Sequence, residues 1–397
     1  MMPACYLADL GLINALGHDK ASVAQALFAG DLGLAPCDWV PGKPTYTAPV
    51  TAPLLTVPER LALYRSRNAQ LALTAIAQIQ SSIDQVKKRY PSARIAVVAG
   101  TSTSGIAEGE DAVAHWQGEG ERPEHYHYRA QEIGNLAELI ADYCQLQGVA
   151  YTLSTACSSS GHALASAQRL LATDMADAVI AGGADSLCRL TVNGFAALDS
   201  VSEGPCTPFG EGRTGINIGE AAAFFMVTRE PIGGRIQLLG AGASSDAHHI
   251  SAPDPAGSGA EAAIKTALEQ AQLAPADINY INLHGTGTPL NDAMESAVVS
   301  RLFPHGPKVS SSKGQLGHTL GAAGATEAGL MWLALLNDSG KLPPHCYHGH
   351  YDPALPNLNL VQVGDCVSAE KRRCYLSNSF AFGGNNAAII LGVQNES

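Results

Sequence analysis

Short apolar runs alternating with long alanine-rich stretches restrict the fold open to this chain more than any other feature. Residues 94–99, 178–182, 222–227, 236–240, 278–283 and 387–391 read as strands buried on both faces, because they lack the polar alternation of a half-solvated strand. Residues 68–83, 136–147, 158–172, 259–272 and 321–336 read as helices between them. Strands and helices interleaved over this length imply an α/β architecture with buried sheets. Residues 111–129, with Gly118, Gly120 and several His and Tyr, read as an excursion from that framework.

An internal echo suggests that the framework is used twice. Cys157-Ser158-Ser159-Ser160-Gly161-His162-Ala163-Leu164 follows an apolar stretch and opens an alanine-rich helix, and Lys313-Gly314-Gln315-Leu316-Gly317-His318-Thr319-Leu320 does the same. Both carry Gly-His-X-Leu, with Cys157 and Lys313 four residues before their glycines. Small residues let two such helices approach closely at a pseudo-twofold centre. An internal duplication follows, with halves 1–230 and 231–397 forming one compact unit.

Composition narrows the function. The 397 residues carry a net charge of −12, which argues against a general nucleic-acid binder. Only 15% of residues are charged and 46% are hydrophobic, so disorder is excluded. No apolar run approaches the roughly 20 residues of a membrane span, and no signal peptide is recognisable near Met1. A cytoplasmic setting is expected, in which the nine cysteines stay reduced and one could act as a nucleophile.

Cys157 is the first candidate, between a strand and the start of a helix, where unsatisfied N–H groups favour thiolate. Its alternative is a buried structural cysteine, the reading taken for Cys144, Cys188, Cys206 and Cys374. His284 ends a strand and heads Gly285-Thr286-Gly287-Thr288, a loop of hydroxyls and free amides without the spacing or lysine of a phosphate loop. His318 lies near the start of the Gly-Ala helix, with Lys313 just upstream. A thiol with two histidines suits covalent acyl transfer. A metal site is the competing reading, but these residues lack the short paired spacing of a zinc motif. A second cluster, His345-Cys346-Tyr347-His348-Gly349-His350, offers possible ligands in a proline-bounded loop. Two glycine-rich loops complete the set, 207–220 and Ser379-Phe380-Ala381-Phe382-Gly383-Gly384-Asn385-Asn386.

Together these motifs resemble the β-ketoacyl-acyl-carrier-protein synthases, the elongating condensing enzymes of the thiolase-like superfamily. The resemblance runs nearly end to end, through Gly11–Gly17, Thr155-Ala156-Cys157-Ser158, Ala181-Gly182-Gly183-Ala184-Asp185, Pro208-Phe209, Gly219-Glu220, the His284 loop, Lys313 with Gly317-His318, Gly321–Glu327 and the 380–386 loop. It implies a duplicated thiolase-like α/β fold of two pseudo-symmetric halves in five layers (αβαβα). It assigns Cys157 as acyl-accepting nucleophile, His284 and His318 as catalytic histidines, Lys313 as the active-site lysine and Glu327 as a buried acid in the same network. The backbone N–H groups of Cys157 and Phe382 would form an oxyanion hole, and Thr286, Thr288, Phe380 and Phe382 would meet the substrate.

The implied reaction is decarboxylative Claisen condensation of acyl-Cys157 with malonyl-carrier protein, lengthening a chain by two carbons. No metal or other cofactor is implied, since phosphopantetheine arrives on the acyl carrier protein. His318→Ala is expected to depress decarboxylation while sparing acylation of Cys157. The implied partners are the carrier protein and either a second copy or a chain-length-factor-like subunit, with neither nucleic acid nor membrane. A silent subunit of that kind is the alternative function, which the presence of Cys157 argues against. Ser158-Ser159-Ser160 after the cysteine and Arg213-Thr214-Gly215-Ile216 in place of Arg-Asp-Gly-Phe depart from the commoner pattern, and look closer to polyketide or aryl-polyene synthases. The carrier would dock on Arg60, Arg65 and Arg67, with Lys87-Lys88-Arg89 as a second basic patch.

Overall fold

A computed structural model describes residues 3–346, 349–368 and 372–393. Its N-terminal strands are β1 (Tyr6–Asn14), β2 (Ile95–Gly100), β3 (Ala150–Leu153), β4 (Ala178–Asp185) and β5 (Ala221–Thr228). They lie in the order β3-β2-β4-β5-β1. The C-terminal strands are β6 (Ile236–Ser245), β7 (Tyr280–Asn282), β8 (Lys308–Ser310), β9 (Cys374–Phe380) and β10 (Asn385–Val393). Their order is β8-β7-β9-β10-β6, the same permutation, extended by the short strand Asn359–Leu360 beside β8. Directions repeat as well: in each half the second strand runs parallel to both neighbours, and the fifth is antiparallel to the fourth and the first. A single residue pair, Tyr6 with Gln237, joins the two sheets.

Two central helices fill the space between the sheets. The helix Ser159–Ala172 packs on β4 and β2, Ala323–Leu336 packs on β5 and β9, and the two pack on each other. Glycine sets their separation: a Cβ at Gly324 would stand 2.6 Å from the Gly161 nitrogen. Ala323–Leu336 is buried all round except at its last residue, which is why its sequence shows no polar stripe. The helices Arg67–Gln78 and Asn135–Cys144 cover the outer face of the first sheet, and Ser258–Ala271 covers that of the second. The chain is thus a thiolase-like αβαβα sandwich. No helix among the described residues is long and apolar enough to cross a membrane.

Several local expectations need correction. The helix expected over 68–83 breaks at Ile79 (φ −107°, ψ 14°), and a second helix runs Gln80–Arg89. Much of the expected excursion is a regular helix, Ile106–Glu119, whose polar outward face and terminal glycines disguised it. The segment at Lys313 does not run into the Gly-Ala helix. It is a single turn, Lys313–Leu316, stopped by Gly317 in the left-handed region (φ 69°).

Candidate active site

The nucleophile candidate sits on a strained elbow between β3 and the first central helix. Ala156 adopts φ 50°, a left-handed conformation that costs a non-glycine residue about 1–2 kcal/mol. The Ser159 hydroxyl secures this turn by bonding the Ala156 carbonyl at 2.6 Å and the Thr155 N–H at 2.9 Å. Cys157 is thereby held at the helix entrance and is 4% exposed.

His318 approaches from the second half. A bridge to Ile218 fixes its backbone: its N–H donates to the Asn217 carbonyl at 2.7 Å, and its carbonyl accepts from the Gly219 N–H at 2.9 Å. Its Nε2 then lies 3.0 Å from the Cys157 sulfur. The His284 ring stands edge-on to it, with centroids 5.4 Å apart, and Phe380 closes the far side of His284 at 6.1 Å. The loop after His284 is held by two carboxylates of the helix Pro289–Leu302. Glu295 accepts the N–H groups of His284 and Gly285 at 2.8 and 2.7 Å, and Asp292 accepts those of Thr286 and Gly287 at 3.1 and 3.2 Å. The hydroxyls of Thr286 and Thr288 bond each other at 2.9 Å.

Lys313 is almost wholly buried and donates to the His284 carbonyl and to Glu327 Oε1, each at 2.5 Å. Desolvation and, after it, the Lys313 charge push both His284 and His318 well below the usual imidazole range, so both rings are neutral. Burial raises the Glu327 carboxyl, against the pull of Lys313.

Here the thiolate expectation fails. Desolvation pushes the Cys157 thiol up to about 12, outweighing Lys313 and the backbone N–H groups of Phe382 and Cys157, which act in the other direction. The helix-entrance effect is real but smaller than the cost of a buried anion. The same two amides are the pair named above for an oxyanion hole, and both address the sulfur. Phe382 is positioned by its ring, 5.3 Å from that of Phe195, and by the adjoining turn. Gly383 and Gly384 take φ 79° and 77° there, the Gly383 N–H donating to the Ile250 carbonyl at 2.7 Å. A cavity of about 270 Å³ opens onto Cys157, His284, His318, Thr286, Thr288 and Phe382.

The remaining candidates fare differently. Arg67 is half-buried and tied to the fold: its Nε and Nη2 clamp Glu220, whose side chain is fully buried, and Nη2 also bonds the Val50 carbonyl. Arg60 reaches the carbonyls of Asp142 and Tyr143, and Arg65 pairs with Glu59 at the surface. In the second patch Lys87 bonds the Cys144 carbonyl and Arg89 pairs with Glu230, leaving Lys88 exposed. His345 is buried, with Nδ1 accepting from the Ser311 N–H and Nε2 bonded to the Pro208 carbonyl, both at 3.0 Å, so neither nitrogen is open to a metal. Tyr347 and His348 of that cluster lie outside the described residues.

The residues that sequence reasoning passed over are Asp292, Glu295, Asn217 and Phe195, together with the backbone of Ala156. One signal was available: acids three residues apart just after Pro289 place two carboxylates on one face of a helix, above the loop that precedes it.

Residues 47–231 match the family model described as Beta-ketoacyl synthase, N-terminal domain, and residues 236–348 match Beta-ketoacyl synthase, C-terminal domain. The 3-oxoacyl-[acyl-carrier-protein] synthase 2 of Rhizobium meliloti is 36% identical over 264 residues, which is 62% of this chain and 61% of the relative. The chain thus spans about three fifths of that relative's length. A synthase of the same name from Coxiella burnetii is 29% identical over 414 residues, covering 97% of both chains. Among solved structures, the ketosynthase ApeO of Xenorhabdus doucetiae, determined in complex with its chain length factor ApeC, is 45% identical. It superposes with a TM-score of 0.92 over 99% of this chain and 98% of that one.

Proposed function

Because the chain belongs to the β-ketoacyl synthase family, we propose that it acts as a 3-oxoacyl-[acyl-carrier-protein] synthase, condensing an acyl group held on Cys157 with malonyl-carrier protein. The observation that carries this reading is the meeting of a thiol from one half with two neutral imidazoles from the other, with His318 Nε2 at 3.0 Å from the sulfur. A buried thiol needs a proton acceptor within reach before it can attack a thioester, and His318 is that acceptor. As the Cys157 sulfur bonds the acyl carbon, its proton passes to Nε2 and then to the departing carrier thiol. The amides of Cys157 and Phe382 meet the oxyanion, and they cost nothing to reorient because the elbow and the glycine turn already hold them.

Malonyl-carrier protein then occupies the cavity. Loss of carbon dioxide leaves an enolate, and hydrogen bonds from the two neutral rings stabilise the developing charge on its oxygen. Its carbon attacks the acyl carbonyl, the bond from that carbon to the Cys157 sulfur breaks, and the sulfur takes up a proton as a 3-oxoacyl chain two carbons longer leaves on the carrier. Lys313 adds to the burial that keeps both rings neutral without touching substrate, and Glu327 balances its charge. This chemistry draws on no resident metal or redox group.

The likeness to ApeO, solved with its chain length factor, supports a partner of chain-length-factor type, and the same reading places the chain in polyketide or aryl-polyene assembly in a cytoplasmic setting. An acidic carrier protein approaching this net-negative chain would meet Arg60 and Arg65. Incubation with acyl- and malonyl-carrier proteins, with and without a co-expressed second subunit, tests the reading. Mass spectrometry should find an acyl adduct on Cys157 and a 3-oxoacyl product. A chain that never acquires the adduct, alone or with its subunit, is a silent partner instead.

A further inference from the structure

Cysteine and two histidines brought to one point are also a ligand set. The sulfur of Cys157 and one ring nitrogen each from His284 and His318 all lie within 4.8 Å of one another, and all three residues are buried. Among the described residues, no other group of three or more His, Cys, Asp or Glu side chains meets this condition. Zinc holds sulfur at about 2.3 Å and imidazole nitrogen at about 2.0 Å, so tetrahedral ligand atoms stand roughly 3.3–3.6 Å apart. The 3.0 Å between the Cys157 sulfur and His318 Nε2 and the 4.8 Å ceiling on the whole set bracket that geometry. The adjacent cavity leaves a fourth position for water.

We propose that Cys157, His284 and His318 bind a soft divalent cation of the zinc class, and that the bound ion silences the nucleophile. The sulfur exchanges its proton for the metal: a hexahydrated Zn²⁺ loses five waters, one S–Zn and two N–Zn bonds form, one water stays, and the thiol proton leaves to solvent. No oxidation is involved. Lys313 opposes the incoming charge and its bond to Glu327 moderates that opposition, so the site suits reversible inhibition rather than a permanent structural zinc. The sequence concealed it because the three ligands come from three separate elements rather than from a paired motif. Binding depends only on this geometry, whereas the inhibitory consequence rests on the condensing activity proposed above.

The test uses metal-free protein and Zn²⁺ or Co²⁺ with no carrier present, so its outcome is independent of whether the chain condenses anything. Competition against a chromogenic chelator should show one tight equivalent per chain, and Co²⁺ should give a thiolate charge-transfer band in the near ultraviolet. Cys157→Ala should remove the band and weaken Zn²⁺ binding by at least about 100-fold, more than is usual for an outer-shell change. Cys366→Ser, at an exposed thiol, should leave both intact. In unsubstituted protein Zn²⁺ should shield Cys157 from iodoacetamide while Cys366 continues to react, a comparison that needs no variant to fold. Undiminished binding in Cys157→Ala, no tight equivalent in unsubstituted protein, or equal alkylation of Cys157 with and without zinc would overturn the proposal.

Discussion

His318 and Cys157 stand 161 residues apart in the chain, yet Nε2 of one lies 3.0 Å from the sulfur of the other. Neither half of the fold holds both. The proton that must leave the thiol and the ring that can take it meet only across the seam between the central helices.

His318→Ala should therefore slow both half-reactions, contrary to the division expected from sequence. Acylation loses the base for a protonated thiol, a contribution of roughly 10²–10⁴-fold. Decarboxylation loses one donor to the enolate, roughly 10²–10³-fold. Acyl-enzyme mass and carbon dioxide release measure the two separately. Normal acylation in a folded variant would show that the thiol finds another base.

The pH dependence follows from burial. With its pKa raised to about 12, Cys157 is a neutral thiol beside a neutral imidazole at pH 7. Its thiolate fraction grows about tenfold per pH unit until the pKa is reached. Alkylation of Cys157 by iodoacetamide should keep rising from pH 7 to 10. A plateau near pH 7 would mean that the pair rests as thiolate and imidazolium.

Lys313→Met should leave Glu327 buried without its partner, at a cost of about 3–5 kcal/mol by urea denaturation. Adding Glu327→Leu removes the orphaned acid and should restore most of that stability. Condensation should stay impaired in the double variant, because the bond from Lys313 to the His284 carbonyl, which helps hold that ring in place, is gone. Full activity there would limit the ion pair to a structural role.

Arg65 and Arg67, two residues apart, should behave oppositely. Arg67→Glu sets an acid against the buried Glu220 and should lower the melting temperature before any effect on carriers is seen. Arg65→Glu faces solvent and should leave stability unchanged while raising KM for the carrier protein, with a weaker salt dependence. Equal melting temperatures for the two variants would contradict the Arg67–Glu220 clamp.

The parts legible in the sequence were those whose chemistry requires a particular side chain. Cys157, His284, His318 and Lys313 stand at the ends of apolar strands or beside small-residue helices, and such places are visible in one dimension. What holds them was not. Nothing in Ala156 announces a left-handed backbone. Glu295 looks like an ordinary helical glutamate until the loop it supports folds back over it. Arg67 looks like a surface charge because its partner, Glu220, is 153 positions away. The thiol's proton affinity was misjudged for a related reason: helix polarity can be read locally, whereas desolvation depends on everything packed around the sulfur.

The glycine contact between the central helices has a consequence for how this chain can change. A Cβ at Gly324 would meet the Gly161 backbone at 2.6 Å, a distance that real Cβ atoms do not show. A side chain there would wedge the helices apart, and the gap would open along the same seam that separates sulfur from imidazole. Two halves that repeat one topology are therefore no longer free to drift independently. Each constrains the other through a surface with no room for an additional carbon atom, and the distance from His318 to Cys157 serves as a gauge of how well that joint is closed.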